Sequence, residues 1–390
     1  MISPLFLDKT PNDQLSQAGW NWMLGTDTLP YLTNEVVVVT EPEAMAYYQA
    51  ANTLYDCYVE AAQYVIDNDL WAEAGISASL IEIIKLTWDD ERHWHLYGRF
   101  DLAGGIGGAP IKLIEFNADT ATCIPETAVV QWAHLKANSL DDNQQFNTLY
   151  ESLVSQFENL RQKNPDLAPA LLISTMRDYP EDDTNAAVLG EAAREAGFDV
   201  AFAYVDEVEL SGAEGIFRQD PESQQFDKFD FWFKLLPWES IAEDEPEMAD
   251  LLTQIVKNRK AVVLNPAYTL LFQSKYLLKV LWDLFPDHPL LLRTHTKPLE
   301  NGAFVEKVLF GREGANVRIF DDNGTVLAST NGEYAAQARV YQSYAEFPKD
   351  ALGQRYQAGV FFAGEACALG FRRGGKIIDN TAQFVGHLVR

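Results

Sequence analysis

Four side chains in two short stretches have the types and spacing for metal–phosphate chemistry. Arg99-Phe100-Asp101 lies in the alternating run Leu96 to Leu102, and Glu115-Phe116-Asn117 lies in the run Ile111 to Asn117. The glycine-rich segment Gly104 to Pro110 separates them, which is the pattern of a β-hairpin. Side chains two apart on a strand share a face, so Arg99 and Asp101 point one way and Glu115 and Asn117 do the same. If the register puts both pairs on one face, two carboxylates, an amide oxygen and a guanidinium converge. Facing carboxylates repel unless a cation lies between them. Hard oxygen ligands with few nitrogen or sulfur donors suit magnesium, usually shared with substrate phosphates. A solvated polar face with an ordinary salt bridge has the same spacing, so the hairpin alone leaves both readings open.

A second stretch, Phe304 to Ile319, reads as strand, glycine loop, strand, with Lys307 on the first strand and Gly311-x-x-Gly314 in the loop. Glycines let a backbone close over phosphates and aim N–H groups at them, while a lysine supplies a point charge. The spacing is not that of a Walker motif, and by itself it favours a structural turn. Lys275, in Ser274 to Lys279, reads by itself as a surface lysine.

The elements that must position these residues follow from periodicity. An amphipathic helix is expected from Pro42 to Ala62, and another from Ser77 to Leu86 with Ser77 as N-cap. Glu126 to Glu158 reads as helix. Strands at Ala168 to Ser174 and Asp199 to Val205 flank a helix from Asn185 to Ala196 that ends at Gly197. That is a βαβ unit and predicts a parallel α/β domain over about 126–265. Phe229 to Leu236 reads as a further strand and Pro266 to Leu284 as a helix. Alternation from Phe304 onward predicts an antiparallel sheet.

Acidic residues outnumber basic ones by 57 to 30 among 390 residues, for a formal charge of −27. That disfavours nucleic acid or an anionic membrane as partner and leaves room for a cationic substrate. Cys57, Cys123 and Cys367 are too scattered for a disulfide framework or a zinc site, which fits a reducing compartment. With no signal-peptide pattern and no long apolar run, the cytoplasm is the expected location. His93 and His95 have no third ligand at suitable spacing and read as structural, and Cys123 reads as a small buried thiol.

Taken together, the pieces resemble the synthetase half of the glutathionylspermidine synthases and the shorter bacterial acid–amine ligases. The resemblance runs from about Trp88 to the C-terminus. It is carried by Tyr97-Gly98-Arg99-Phe100-Asp101, the stretch Glu115 to Thr120, and Lys275 with Leu281-Trp282-x-Leu284-Phe285-Pro286. Lys307 with Gly311-Arg312-x-Gly314-x-Asn316, and Tyr341-Gln342, complete it. The resemblance implies an α/β (α+β) chain with an ATP-grasp fold and a pre-ATP-grasp-like domain. Three units are expected: 1–125 (helical segment and metal-binding hairpin), 126–265 (α/β domain) and 266–390 (nucleotide-binding lobe with glycine lid). It further implies that Asp101, Glu115 and Asn117 hold magnesium, with two ions expected. Arg99, Asp101, Lys275, Lys307, Glu313 and Gly314 then match ATP-binding positions. So do Gln342, Ser343, Tyr344, Ala345, Gln357, Ile377, Ile378 and Asp379. Arg99 also matches the arginine that lies against the reacting carboxylate and phosphate.

Thr120, Thr122, Glu181, Asp182 and Ser240 match positions that hold the thiol tripeptide in the synthases, with Thr for Ser, Asp for Glu and Ser for Thr. Arg372, with Arg373 beside it, falls near a further family arginine. The implied activity is ATP-dependent joining of a small peptide carboxylate such as that of glutathione to an amine such as a polyamine, through an acyl phosphate. A catalytically silent ATP-binding protein and a carboxylate kinase are the competing readings. ADP release that depends on both an acid and an amine separates them.

Overall fold

The computed structural model describes residues 2–26, 30–220 and 222–390. Its centre is a five-stranded antiparallel sheet in the order Gln383–Val385, Glu365–Gly374, Arg355–Ala363, Gly98–Ala103, Lys112–Asn117. The expected hairpin is therefore present, but it completes a sheet whose other strands come from the C-terminal end of the chain. The two ends also meet elsewhere, where Glu35–Val39 pairs in parallel with His387–Val389. Segments 1–125 and 266–390 thus interleave.

Helix Glu41–Asp67 covers the back of this sheet. Thr40 starts it with a capping box, its hydroxyl accepting from the Glu43 N–H while the Glu43 carboxylate accepts from the Thr40 N–H. Tyr47, Ala51, Leu54, Tyr58, Ala62 and Val65 recur at helical spacing and are buried. The Tyr58 ring meets Phe100 and Phe116 at 5.9 and 5.2 Å. Those two phenylalanines stack at 3.8 Å on the helix side, which turns the polar side chains of the hairpin to the opposite face.

The expected βαβ unit is formed by Ala170–Thr175, Pro180–Glu195 and Asp199–Tyr204 in a four-stranded parallel sheet, order Val262–Leu264, Phe231–Lys234, Ala170–Thr175, Asp199–Tyr204. Strand order reverses beside Ala170–Thr175, where ligand crevices open in such sheets. A second antiparallel sheet carries Thr294–His295, Arg339–Ser343, Phe304–Val308, Arg318–Phe320 and Val326–Ser329.

Four expected elements differ from the observed ones. The Glu126 to Glu158 helix is broken into Pro125–Val130, Gln131–Ala137 and Leu149–Lys163, because the chain turns at Ser139 with φ of +58°. Phe229 to Leu236 divides at Asp230, so Phe226–Phe229 joins a small antiparallel sheet while Phe231–Lys234 enters the parallel one. Pro266 to Leu284 breaks between Gln273 and Tyr276; there the Ser274 hydroxyl donates to the carbonyl of Ala74 and accepts from the Tyr276 N–H. Ser77 bonds Ser79 and caps no helix with its side chain. No helix among the described residues is long and apolar enough to cross a membrane.

Candidate active site

The register that the hairpin chemistry needs is the one observed: Arg99 lies opposite Asn117 and Asp101 opposite Glu115. All four line a cavity of about 750 Å³. Arg99 grips Asp101 bidentately, Nε to Oδ1 at 2.7 Å and Nη2 to Oδ2 at 3.1 Å, and its Nη1 donates to the Thr122 carbonyl at 2.8 Å. The Asn117 amide donates to Asp101 Oδ2 at 3.1 Å. Burial alone would raise the pKa of Glu115, but Lys275, 3.3 Å away, together with Lys307 holds it below the usual carboxylate range.

The break at Ser274 decides where Lys275 points. It begins the second helical piece, and its Nζ reaches both Glu115 and, at 2.6 Å, the Gly311 carbonyl. Lys307 donates to the Ile114 carbonyl at 3.0 Å and to Gln342 Oε1 at 2.9 Å. Burial brings the Lys307 ammonium down to about 8 despite Glu115, with Lys275 adding to the shift. In the loop beyond, Glu313 and Gly314 both take the left-handed conformation (φ +50° and +69°), and a Cβ at Gly314 would sit 2.6 Å from the Ile378 carbonyl oxygen. Gly311 is needed for space instead, since a Cβ there would meet Val308 Cγ2 at 2.6 Å. Ser343, Tyr344, Ala345 and Gln357 line the same end of the cavity, as do Ile377, Ile378 and Asp379.

Asp101, Glu115 and the Asn117 amide are hard oxygen donors. Among the described residues no group of three acidic, histidine or cysteine side chains is placed to hold a metal ion. The donor set therefore fits a magnesium ion that completes its shell with phosphate and water, and does not fit a cation caged by protein alone. The volume of the cavity falls within the range of small-molecule pockets, about 300–1,000 Å³.

Residues 5–390 match the family model described as glutathionylspermidine synthase preATP-grasp. The chain belongs to the glutathionylspermidine synthase family. A Haemophilus influenzae relative, provisionally named an acid–amine ligase, is 30% identical over 319 residues, covering 78% of this chain and 77% of that protein. The bifunctional glutathionylspermidine synthetase/amidase of Escherichia coli is 26% identical over 335 residues, 80% of this chain and 52% of its own length. The structural likeness of this chain to a glutathione synthetase-like effector of Globodera pallida, solved in apo form, has a TM-score of 0.56 at 10% identity and covers 98% of both chains. That likeness bears on the fold, which is a mixed α/β arrangement of the ATP-grasp type.

The same cavity of this family member is also lined by Thr120, Thr122, Glu181 and Asp182. Ser240 alone of the expected residues is not part of the lining; it lies on helix Trp238–Asp244 behind it. Of the two adjacent arginines, Arg372 lines the cavity and donates to the Asp379 and Ala382 carbonyls, whereas Arg373 turns away to Glu35 and Gln383. Three residues went unassigned in the sequence: Tyr31, Glu126 and Arg312. The Tyr31 hydroxyl donates to Glu126 Oε1 at 2.5 Å, and the second oxygen of Glu126 is buried without a partner among the described residues. No periodicity links residues 95 positions apart. Arg312 stands inside the glycine-loop motif, which was the available signal. Cys123 lies 3.8 Å from Arg372 at the cavity wall. His95, stacked on Tyr55 and bonded to the Ala118 carbonyl, is structural as expected.

Proposed function

We propose that the chain is an ATP-dependent acid–amine ligase joining a small peptide carboxylate, of the kind glutathione carries, to a primary amine of the polyamine kind. The observation that supports this best is that Arg99, Asp101, Glu115, Asn117, Lys275 and Lys307 line one cavity together with Glu126, Glu181 and Asp182. In this reading residues 266–390 and the hairpin hold the nucleotide, and 126–265 presents the substrates.

A carboxylate acylates poorly, so its oxygen attacks the γ-phosphorus of ATP, ADP leaves, and an acyl phosphate forms. The amine nitrogen then attacks the carbonyl carbon and inorganic phosphate leaves with the oxygen that came from the acid. Magnesium, held by Asp101, Glu115 and Asn117, would neutralise charge on the phosphates. Lys275 and Lys307 hold the phosphates, and Arg99 lies where charge develops between carboxylate and γ-phosphate. The glycine loop excludes water that would hydrolyse the acyl phosphate. Acid labelled with ¹⁸O in its carboxylate tests the pathway. One label per turnover should appear in inorganic phosphate, and its absence there, with amide formed, would refute the acyl phosphate.

The amine must lose a proton, and in this reading Asp182 orients it or accepts that proton. Burial, then Glu181, Asp183 and Glu313, push its carboxyl up to about 7, with Arg312 opposing. Tyr97, packed nearby, stays protonated because burial and Asp119 raise its pKa. A base with a raised pKa works only when deprotonated, so activity should rise as pH increases through about 7. In a profile of kcat/KM for the amine, Asp182→Asn should lose this inflection. Retention of the inflection in that variant would place the base elsewhere.

A further inference from the structure

One ion pair joins the glycine loop to helix Trp238–Asp244, which follows the parallel-sheet strand Phe231–Lys234. Arg312 spreads its guanidinium between Thr120 Oγ1, at 2.8 Å, and the Oε1 of Glu239 on helix Trp238–Asp244. Glu239 is 8% exposed and its other oxygen has no partner among the described residues, so the carboxylate is committed to Arg312. Its position is anchored from behind. Lys234 and Asp119, both fully buried, pair at 3.4 Å, and Asp119 accepts the N–H of Trp238 at 2.9 Å.

The loop itself does not favour closure. Glu313, Gly314 and Asn316 all have positive φ. On its own sheet the loop is held by Thr330, whose hydroxyl donates to the Gly314 carbonyl, and by the Tyr334 N–H, which donates to Asn316 Oδ1. Glu313, which lines the same cavity as Glu181 and Asp182, adds to the negative charge that raises their carboxyls, and like charges oppose approach. Among the described residues, Arg312–Glu239 is the only ion pair between this loop and segment 126–265.

We propose that Glu239 is the positioning residue that holds Arg312, and through it the glycine loop, folded across the cavity. The proposal rests on the reading of that loop as a lid. Glu239 touches no reacting atom; it fixes the Arg312 guanidinium and so offsets the repulsion between Glu313 and the acidic wall.

Hydrogen exchange on the full, ligand-free chain tests this. Amides of residues 310–316 should exchange about tenfold faster in Glu239→Ala and by an intermediate factor in Glu239→Gln, while helix Trp238–Asp244 keeps its protection. Arg312→Lys, which keeps the charge but loses the fork, should release the same amides. Magnesium with a non-hydrolysable ATP analogue should restore wild-type protection in Glu239→Gln. Unchanged exchange at 310–316 in both Glu239 variants overturns the latch, as does equal loosening of helix Trp238–Asp244. The comparison uses no acid or amine, so its failure is distinct from failure of the ligase reading.

Discussion

Replacing Arg99 with lysine should lower turnover by about 10²- to 10³-fold while the apparent ATP affinity moves by no more than a few-fold. The planar fork of Arg99 spans both oxygens of Asp101 and the Thr122 carbonyl, a pattern that a single ammonium cannot reproduce. Asp101, 3% exposed, would lose half of its bidentate partner, and the developing charge between carboxylate and γ-phosphate would lose a fixed donor. The nucleotide keeps Lys275 and Lys307, which is why the effect should fall on rate. Steady-state kinetics with varied ATP measures the split. Turnover within about threefold of wild type, in protein with a native circular dichroism spectrum, would remove Arg99 from the reaction.

Glu115→Gln should leave the fold intact and remove most magnesium-dependent turnover, by at least about 100-fold, since a metal ion supplies several kcal/mol of charge stabilisation in such transfers. Glu115 stands between Lys275 and Lys307, whose Nζ groups are directed at the hairpin. Loss of its charge leaves the lysines facing one another and takes one carboxylate from a donor set that has only two. Turnover at saturating ATP should therefore respond less steeply to added magnesium. A magnesium titration with wild-type response and wild-type rate in Glu115→Gln would contradict the metal assignment.

How much of this was legible in the sequence depends on the distance over which each feature is encoded. The hairpin was, because strand period and the glycine break are local and because Phe100 and Phe116, taking the buried face, leave one face for the four polar side chains. Lys275 and Lys307 were legible through motif order, while the helix break that aims Lys275 at Glu115 was not, since it is made by Ser274 reaching to Ala74. Asp230 ended one strand and began another in a different sheet, which a continuous apolar run conceals. Tyr31–Glu126 and Arg312–Glu239 join residues 95 and 73 positions apart, and nothing in local spacing announces such pairs. Ser240 shows the reverse: a position matched by motif whose side chain the fold keeps outside the lining.

The central claim is amide formation driven by ATP, and product analysis tests it most directly. Protein, magnesium and ATP are incubated with glutathione and spermidine, and with a panel of small peptides and amines, followed by mass spectrometry and nucleotide analysis. ADP and phosphate should appear in equal amounts with a new amide, and only when both an acid and an amine are present. ADP formation indifferent to every acid and amine, or release of AMP and pyrophosphate, would contradict the account.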